Sequence, residues 1–350
     1  MTYLDANASE PLRPEARTAM LAALDQTGNP ASVHAAGRAA RRVLERARAT
    51  LAHAYGVVPD DVVFTSGGTE ANALAIAGLR GARRVLVGAT EHDAVRQAAP
   101  GAGVLPVDKD GAVRLDALAR ALAEGPALVC VMAANNETGT RQPLQDVAAL
   151  CAAYGALLHV DAVQARVPFD MRALGATSVA LSSHKMGGPL GAGALLLAGH
   201  DPAPMLRGGG QERGRRGGTP ALPAIAGFAA AVGCIWPDLT RWRDAIAAAA
   251  VAQGAIVLGG DDRLPNTVCL ALPGMRADAQ VIALDLAGVQ VSAGAACSSG
   301  VVGESHVLRA MGAGALAGQA IRVSLPWNAT AACVDVFSHA YTKISQRVRA

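Results

Sequence analysis

Residues 156–198 of the 350-residue chain read ALLHVDAVQARVPFDMRALGATSVALSSHKMGGPLGAGALLLA, and the pattern in this stretch decides the fold. Three short apolar runs in it predict buried strands, at 156–160, 178–182 and 192–198. A carboxylate, Asp161, directly follows the first run, and an amine, Lys185, comes three residues after the second. The glycines and the proline that follow Lys185 predict a turn before the third strand.

The same alternation extends towards the N-terminus. Three further apolar runs predict strands at 62–65, 83–88 and 127–132. Helical patterns fall between most of the strands, near 69–80, 91–99, 115–124 and 143–154. Alternating strands and helices indicate a doubly wound α/β fold with a mainly parallel sheet. In such sheets ligands bind at the carboxyl ends of the strands, where Asp161 and Lys185 are predicted to lie.

The pattern changes after two Ala-rich segments that predict helices near 220–236 and 238–253. Beyond them the predicted elements are strands at 266–272, 289–292 and 321–325 and helices near 278–287 and 330–348. These elements indicate a second, smaller α+β unit. We predict a large domain of residues 14–245 and a small domain formed by residues 1–13 and 246–350.

Composition narrows the class of protein. The chain is 51% hydrophobic, and its 31 basic and 28 acidic residues give a net charge of +3, which disfavours a nucleic acid or an anionic membrane as partner. No apolar run reaches the roughly 18 residues of a membrane helix, and the N-terminus has no signal-peptide pattern. The six cysteines contain no CxxC pair, which argues against a metal site and favours a reducing, cytoplasmic setting.

Lys185 is the lysine in a position suited to chemistry. The other two lysines, Lys109 in a polar turn and Lys343 on a helix, are expected at the surface. Burial at a strand end favours a neutral, nucleophilic amine. Such an amine is what a covalent bond to the aldehyde of pyridoxal phosphate requires. An exposed loop lysine is the plainer alternative.

Asp161 has a matching role in that hypothesis. A carboxylate buried at a strand end needs a cation, and the protonated pyridine nitrogen of the cofactor is one. Gln164, three residues on, is placed to reach the ring hydroxyl. The alternative for Asp161 is the cap of a following helix. His159 is expected to be structural.

A phosphate site is indicated by TSGGTEANALAI at 65–76, a strand followed by a glycine turn and a helix start. Gly68 and Thr69 place N–H groups and a hydroxyl at a helix N-terminus, which suits a phosphate. Ser182 and His184 are possible further donors. Neither GxxxxGK nor a complete GxGxxG occurs, so nucleotide-binding fingerprints are absent from the sequence. A plain capped helix is the alternative.

Four further residues stand out by their surroundings. His92 follows a strand and could stack on a flat ring or transfer a proton in catalysis, and Asn136 follows another strand end. Cys297 lies in SAGAACSSG, a Gly/Ser-rich stretch typical of a solvent-reachable loop, whereas the other cysteines look like core residues. Arg322, in the apolar run IRVSL, would bind a substrate carboxylate or an internal acid. The patch RGGGQERGRRGGT at 207–219 indicates a flexible linker or, less suitably, an RNA-binding segment.

Taken together, the chain resembles the cysteine desulfurases, the NifS/IscS-like branch of the class V aminotransferase group. The motifs that carry the resemblance run from residue 3 to about 330, in the order YLDANASEPL, SGGTEAN, TEH, NNETG, HVDAVQ, SSHK, GGGQERGRRGGT, SAGAACSSG and IRVSL. The resemblance implies fold type I of the pyridoxal-phosphate-dependent transferases, with a seven-stranded-type sheet.

The resemblance also implies how the cofactor is held. Lys185 would bind it covalently and transfer protons, and His92 would stack over its ring. Asp161 would pair with the ring nitrogen, and Gln164 and Asn136 would hold the ring oxygen side. The phosphate would be bound by Gly68, Thr69, Ser182 and His184. Thr219 would reach the phosphate of the partner subunit, which implies a homodimer.

The implied reaction converts L-cysteine to L-alanine and leaves a persulfide on Cys297. Arg322 and Asn136 would bind the substrate, and sulfur would pass to a protein acceptor for iron–sulfur cluster assembly or thiolation. The SAGAACSSG setting is similar to the branch with a longer cysteine loop. Because the chain ends 28 residues after Arg322, which acceptor it serves stays open.

Two other interpretations remain at this point. The chain could be another pyridoxal-phosphate enzyme on the same fold, namely a selenocysteine lyase or an aminotransferase. It could also be an interaction protein without activity, which predicts no bound chromophore.

Overall fold

The computed structural model describes residues 1–294 and 304–349, and a seven-stranded sheet forms its larger part. The strands of this sheet are β2 (Val62–Thr65), β3 (Arg84–Gly88), β4 (Gly103–Leu105), β5 (Ala127–Met132), β6 (Leu157–Asp161), β7 (Ser178–Ser182) and β8 (Gly193–Leu197). Their order across the sheet is β2-β8-β7-β6-β5-β3-β4, and β8 runs antiparallel to its two neighbours. The other pairs are parallel. The predicted doubly wound, mainly parallel sheet is therefore confirmed.

Helices cover both faces of this sheet. They are α1 (Pro14–Leu24), α2 (Ala35–Ala54), α3 (Gly68–Leu79), α4 (Asp93–Arg96), α5 (Leu115–Leu122), α6 (Leu144–Ala153), α7 (Met171–Leu174) and α8 (Leu222–Val232). Alternate residues of β5 join two separate cores, Val129 and Val131 on one face and Leu128 and Cys130 on the other. Strands buried on both faces are mostly apolar along their length, which is why the ALVCVM run predicted β5.

One prediction of local structure needs correction, and two helices were not predicted. The helix expected at 91–99 is the single turn α4, because Pro100 and Gly101 follow and the residue before a proline disfavours helical backbone. The sequence patterns also failed to predict α1 and α2, although Pro14 occupies the first turn of α1, a common start signal.

The remainder of the chain builds a smaller α+β unit. Its elements are α9 (Thr240–Val251), β9 (Ile256–Leu258), β10 (Thr267–Ala271), α10 (Ala277–Leu286), β11 (Val289–Gln290), β12 (Ser292–Ala293), α11 (His306–Ala310), β13 (Ala320–Ser324) and α12 (Ala331–Arg349). An antiparallel sheet has the order β12-β13-β10-β9. The N-terminal strand β1 (Thr2–Tyr3) pairs with β11 in a separate sheet, so the strand predicted at 289–292 is divided between two sheets.

A separate core stabilises this smaller unit. Leu4 from the N-terminus packs in it with Ile321 of β13 and with Phe337 and Tyr341 of α12, whose rings stack with centroids 5.2 Å apart. Each such fully buried apolar side chain contributes about 1.5–3 kcal/mol.

The domain limits at 13/14 and 245/246 stay a prediction. Among the described residues, no helix is both long enough and apolar enough to span a membrane.

A buried ion pair at Glu212 anchors the patch at 207–219. The interpretation of this patch as a flexible linker is therefore wrong at Glu212. The carboxylate of Glu212 accepts hydrogen bonds from both terminal nitrogens of Arg48, at 2.8 and 2.9 Å, and from the N–H of Phe64. Glu212 and Arg213 have left-handed backbone, with φ of 48° and 57°. Such backbone costs about 1–3 kcal/mol per residue and persists where the surroundings enforce it.

We expect Glu212→Ala to lower the free energy of unfolding by about 3–5 kcal/mol, because it leaves the buried Arg48 guanidinium without its main counter-charge. Glu45→Ala is the matched control, since Glu45 is the other partner of Arg48 and its side chain is 42% exposed. That control should cost less than about 1 kcal/mol. Urea unfolding measures both, and equal losses in the two variants would contradict the anchoring role of Glu212.

Candidate active site

A cavity of about 360 Å³ opens at the carboxyl ends of the central strands, beside β13. Ten of the predicted site residues line it: Gly68, Thr69, His92, Asn136, Asp161, Gln164, Ser182, His184, Lys185 and Arg322. They come from positions 68 to 322 of the sequence, so the fold brings distant segments to one place. This location is where a doubly wound sheet places its ligands.

Lys185 enters the cavity from a short turn that directly follows β7. Its amine donates hydrogen bonds to the backbone carbonyls of Asn7 and Ala8, the latter at 2.9 Å. Lys185 is half-buried, whereas Lys109 and Lys343 are exposed. Of these three lysines, Lys185 is therefore the one whose amine lies in a cavity rather than in solvent.

Asp161 is the last residue of β6 and is buried beside this amine. Its carboxylate accepts hydrogen bonds from the side-chain amide of Asn72 at 2.9 Å and from the N–H of Val163 at 3.0 Å. Burial raises the pKa of Asp161, while these bonds and the charges of His92 and Lys185 lower it. No helix follows directly, so the helix-cap alternative is wrong. A cation in the cavity would stabilise this carboxylate.

Gln164 supplies an unsatisfied acceptor. Its Nε2 donates to the backbone carbonyl of Asn7 at 3.1 Å, whereas its buried Oε1 has no hydrogen-bond partner among the described residues. A buried acceptor without a donor costs about 1–3 kcal/mol. A donor on a bound ligand, such as a hydroxyl, would satisfy it.

The predicted phosphate residues meet at the N-terminus of α3. Gly68 begins this helix, and a β-carbon there would lie 2.5 Å from Cγ2 of Val163, so a larger residue would collide. The Ser182 hydroxyl and Nδ1 of His184 lie 3.0 Å apart at the same cavity. Burial and the charge of Lys185 lower the pKa of His184 to about 4, so its ring is neutral at neutral pH. N–H groups, hydroxyls and a helix N-terminus together suit an anion.

His92 also lines the cavity, at the N-cap of α4. Its Nδ1 accepts a hydrogen bond from the N–H of Ala94 at 3.0 Å. In the neutral ring, Nε2 therefore carries the proton. The N-cap contact fixes the plane of the imidazole at the cavity edge.

Arg322 lies on β13 and is buried. Its Nη2 donates to a carboxylate oxygen of Asp5 at 2.7 Å, and its Nη1 donates to the backbone carbonyl of Asn136 at 3.1 Å. The internal ion pair considered from the sequence is thus present. The same guanidinium also lines the cavity, so binding of a substrate carboxylate stays a prediction.

Two predicted site residues are not brought to this cavity by the described chain. Thr219 is exposed and does not line it. Cys297 lies outside the described residues. Within residues 1–294 and 304–349, no group of three or more His, Cys, Asp or Glu side chains could hold a metal ion.

Sequence reasoning missed several residues that line the cavity, among them Asp5, Asn7 and Asn72. Asp5 and Asn7 belong to the N-terminal segment, and their contacts reach residues more than a hundred positions away, which no local pattern signals. Asn72 was detectable, because it lies three residues after Thr69 on α3 and such residues share a helix face.

The residues of this cavity fit pyridoxal phosphate. The cavity combines an anion site, a buried carboxylate whose pKa is raised by burial, and a half-buried amine. The orphaned Oε1 of Gln164 completes the set with an acceptor for the ring hydroxyl.

Known proteins support this interpretation. The chain matches the Aminotransferase class-V family over residues 2–337. It is 41% identical to a cysteine desulfurase of Cereibacter sphaeroides, over 99% of this chain and 96% of that protein. It is 37% identical to an IscS-like cysteine desulfurase of Mycobacterium tuberculosis, over 96% of this chain and 94% of that protein.

The fold comparison agrees with the sequence comparison. A NifS-like protein from Rickettsia africae, known from an X-ray structure, has a TM-score of 0.90 and 31% identity, with 99% of each chain covered. The predicted fold type I of pyridoxal-phosphate-dependent transferases is confirmed by this match. By its sequence over almost its whole length and by its fold, the chain belongs to the class V aminotransferase family.

Proposed function

We propose that this chain is a pyridoxal-phosphate-dependent cysteine desulfurase, which converts L-cysteine to L-alanine and transfers the sulfur to Cys297. The observation that carries the proposal is the meeting of Lys185 and Asp161 in one cavity with an anion site. The relatives from Cereibacter sphaeroides and Mycobacterium tuberculosis support the choice of this reaction within the family.

In this proposal, different residues of the cavity bind different parts of the cofactor. When bound, pyridoxal phosphate holds the substrate amine covalently and withdraws electrons from the α-carbon. The Asp161 carboxylate keeps the ring nitrogen protonated, and Oε1 of Gln164 accepts from the ring hydroxyl with Asn136 beside it. Gly68, Thr69, Ser182 and His184 hold the phosphate, and the His92 ring covers the cofactor.

Lys185 has two tasks in this proposal. Its amine holds the cofactor in the resting enzyme and moves the proton of the substrate α-carbon once the substrate is bound. The carbonyls of Asn7 and Ala8 provide acceptors for that amine close to the cavity. These contacts orient Nζ in the cavity at the carboxyl end of β7. Arg322 and Asn136 hold the carboxylate of the substrate.

Cys297 accepts the sulfur. Its thiolate forms a bond to the sulfur of L-cysteine while the substrate carbon–sulfur bond breaks, which gives L-alanine and a persulfide on Cys297. The electron pair of the broken bond remains on the β-carbon, which takes up a proton to become the methyl group of alanine, so the carbon is reduced as the two sulfurs are oxidised and no further oxidant is needed. The persulfide then passes its outer sulfur to a protein acceptor for iron–sulfur cluster assembly or thiolation.

The other cysteines support this choice. Burial raises the pKa of Cys151 and Cys269 to about 12 and that of Cys130 well above its usual range. Thiols with such pKa values supply little thiolate at neutral pH. Cys234 and Cys333 are half-buried, and neither lines the cavity.

We also propose a homodimer in which Thr219 reaches the phosphate of the partner subunit. The exposure of Thr219 leaves its hydroxyl accessible to a second chain. A cytoplasmic location is consistent with a reaction that needs reduced thiols. A pull-down with the persulfidated enzyme would identify the protein that accepts the sulfur.

We expect the protein purified with pyridoxal phosphate to be yellow, and Lys185→Ala to lose this absorbance because no other described lysine lies at the cavity. Borohydride reduction followed by mass spectrometry should locate the cofactor on the peptide that contains Lys185. Lys343→Ala is the matched control, since Lys343 is exposed. A cofactor adduct on Lys109 or Lys343, or none in the wild type, would refute the assignment.

We expect Cys297→Ala to bind the cofactor and L-cysteine as the wild type does but to lose alanine and sulfide production by about a hundredfold or more, as removal of one essential group does. Cys234→Ala is the control and should keep full activity. Full sulfide release by Cys297→Ala would favour a lyase such as a selenocysteine lyase. Amino-group transfer to a keto acid at a comparable rate would favour an aminotransferase.

A further inference from the structure

Four buried side chains form a continuous hydrogen-bond chain behind the cavity. The Ser178 hydroxyl lies 2.8 Å from Nδ1 of His159, and Nε2 of His159 lies 2.8 Å from Oδ1 of Asn72. The amide nitrogen of Asn72 then donates to the Asp161 carboxylate at 2.9 Å. None of the four side chains is more than 5% exposed, so water does not compete for these bonds.

The secondary structure fixes this arrangement. His159 and Asp161 are two residues apart on β6 and therefore point to the same face of the sheet. Ser178 is the residue of β7 that pairs with His159 in the strand register. Asn72 comes from the first turns of α3, the helix whose N-terminus forms the anion site. The chain thus connects three elements that all border the cavity.

The direction of the hydrogen bonds follows from donor and acceptor chemistry. Burial lowers the pKa of His159 to about 4, so the ring is neutral and carries one proton. Because Oδ1 of Asn72 can only accept, that proton is on Nε2, and Nδ1 accepts from the Ser178 hydroxyl. Every donor in the chain therefore points towards Asp161.

The reverse direction is incompatible with an ionised Asp161. If the Asn72 amide turned over, its oxygen would face the carboxylate oxygen, and two acceptors would meet without a proton. Only a protonated Asp161 would tolerate that arrangement. Turning the amide would also move the proton of His159 to Nδ1, with the Ser178 hydroxyl as its acceptor, so the arrangement that suits an ionised Asp161 is the one with the proton on Nε2.

We propose that His159 is a positioning residue that holds the Asn72 amide as a donor to Asp161 and thereby keeps Asp161 ionised against the cofactor ring nitrogen. The inference rests on the proposed binding of pyridoxal phosphate at this cavity. Within an ionic pair of Asp161 and a protonated ring nitrogen, the Asn72 donor stabilises the negative partner. Its loss favours transfer of the proton from the ring to Asp161.

A pair of substitutions separates positioning from structural support. His159→Gln places an amide N–H close to where Nε2 lies and so keeps a donor for Asn72. His159→Asn keeps a polar group towards Ser178 but is too short to reach Asn72. His159→Asn leaves a larger space in the core than His159→Gln, but a space alone would lower stability without changing the protonation of the ring nitrogen. His159→Phe fills the volume without a donor and serves as the second loss variant if His159→Asn does not fold.

The protonation of the ring nitrogen is measured directly by nitrogen NMR of holoenzyme loaded with pyridoxal phosphate that carries ¹⁵N in the ring. We expect a protonated ring in the wild type and in His159→Gln, and a shift towards the unprotonated position in His159→Asn or His159→Phe. The dissociation constant of the cofactor should rise about tenfold in the loss variants, the scale of one hydrogen bond to a charged group. The kcat should fall by a similar factor with little change in KM.

The outcomes distinguish this inference from the proposed function. A wild type that binds no pyridoxal phosphate refutes the proposed function itself. A wild type that binds the cofactor and releases sulfide, together with a loss variant whose ring nitrogen stays fully protonated, refutes only the role of His159. Equal shifts in His159→Gln and His159→Asn would also refute it, because the retained donor would then make no difference.

Discussion

The burial of the Asp161 carboxylate is the constraint on which the rest of the site depends. At the end of β6 this group has lost most of its hydration, which is why its pKa is raised. Hydrogen bonds from Asn72 and Val163 replace part of that hydration, and the charges of His92 and Lys185 act in the same direction. A cationic ring nitrogen in the cavity would complete the compensation. Binding of the cofactor would therefore also stabilise the charge that the folded sheet buries at the carboxyl ends of β6 and β7.

The N-terminal segment joins the two structural units at this site. The backbone N–H of Asn7 donates to Ser324 of β13, and its side-chain amide donates to Thr267 of β10 and to the carbonyl of Asn136. The carbonyl of Asn7 in turn accepts from Lys185. One buried residue thus connects the smaller antiparallel sheet, the loop after β5 and the amine of the cavity. Because every polar atom of Asn7 is used, a shift between the two units would disturb the position of Lys185.

The sequence predicted those parts of the molecule whose signal is local. The strands β5 to β7 are predominantly apolar, Asp161 is the last residue of β6 and Lys185 comes three residues after β7, so strand ends and site residues emerged together. The helix α2 also carries a local signal, because Ala40, Leu44, Ala47 and Leu51 recur at helical spacing on its buried face, so this helix was detectable although it was not predicted. The contacts of Asn7 span from 129 to 317 positions, and no window of sequence contains both partners. The apolar pattern therefore predicted the strands, whereas no pattern predicted the long-range polar contacts.

The pairing of Arg322 with Asp5 shows how a buried arginine can be ready for an anion without being left uncompensated. A guanidinium has five N–H donors, and Asp5 and the carbonyl of Asn136 each accept one. The Asp5 carboxylate reduces the energetic penalty of burying the charge on β13 and fixes the plane of the guanidinium towards the cavity. A substrate carboxylate would then bind to an oriented group and would share its charge with Asp5. Asp5 would thus orient Arg322 and at the same time lower its affinity for the substrate carboxylate, because the acid that positions the arginine also repels the incoming anion.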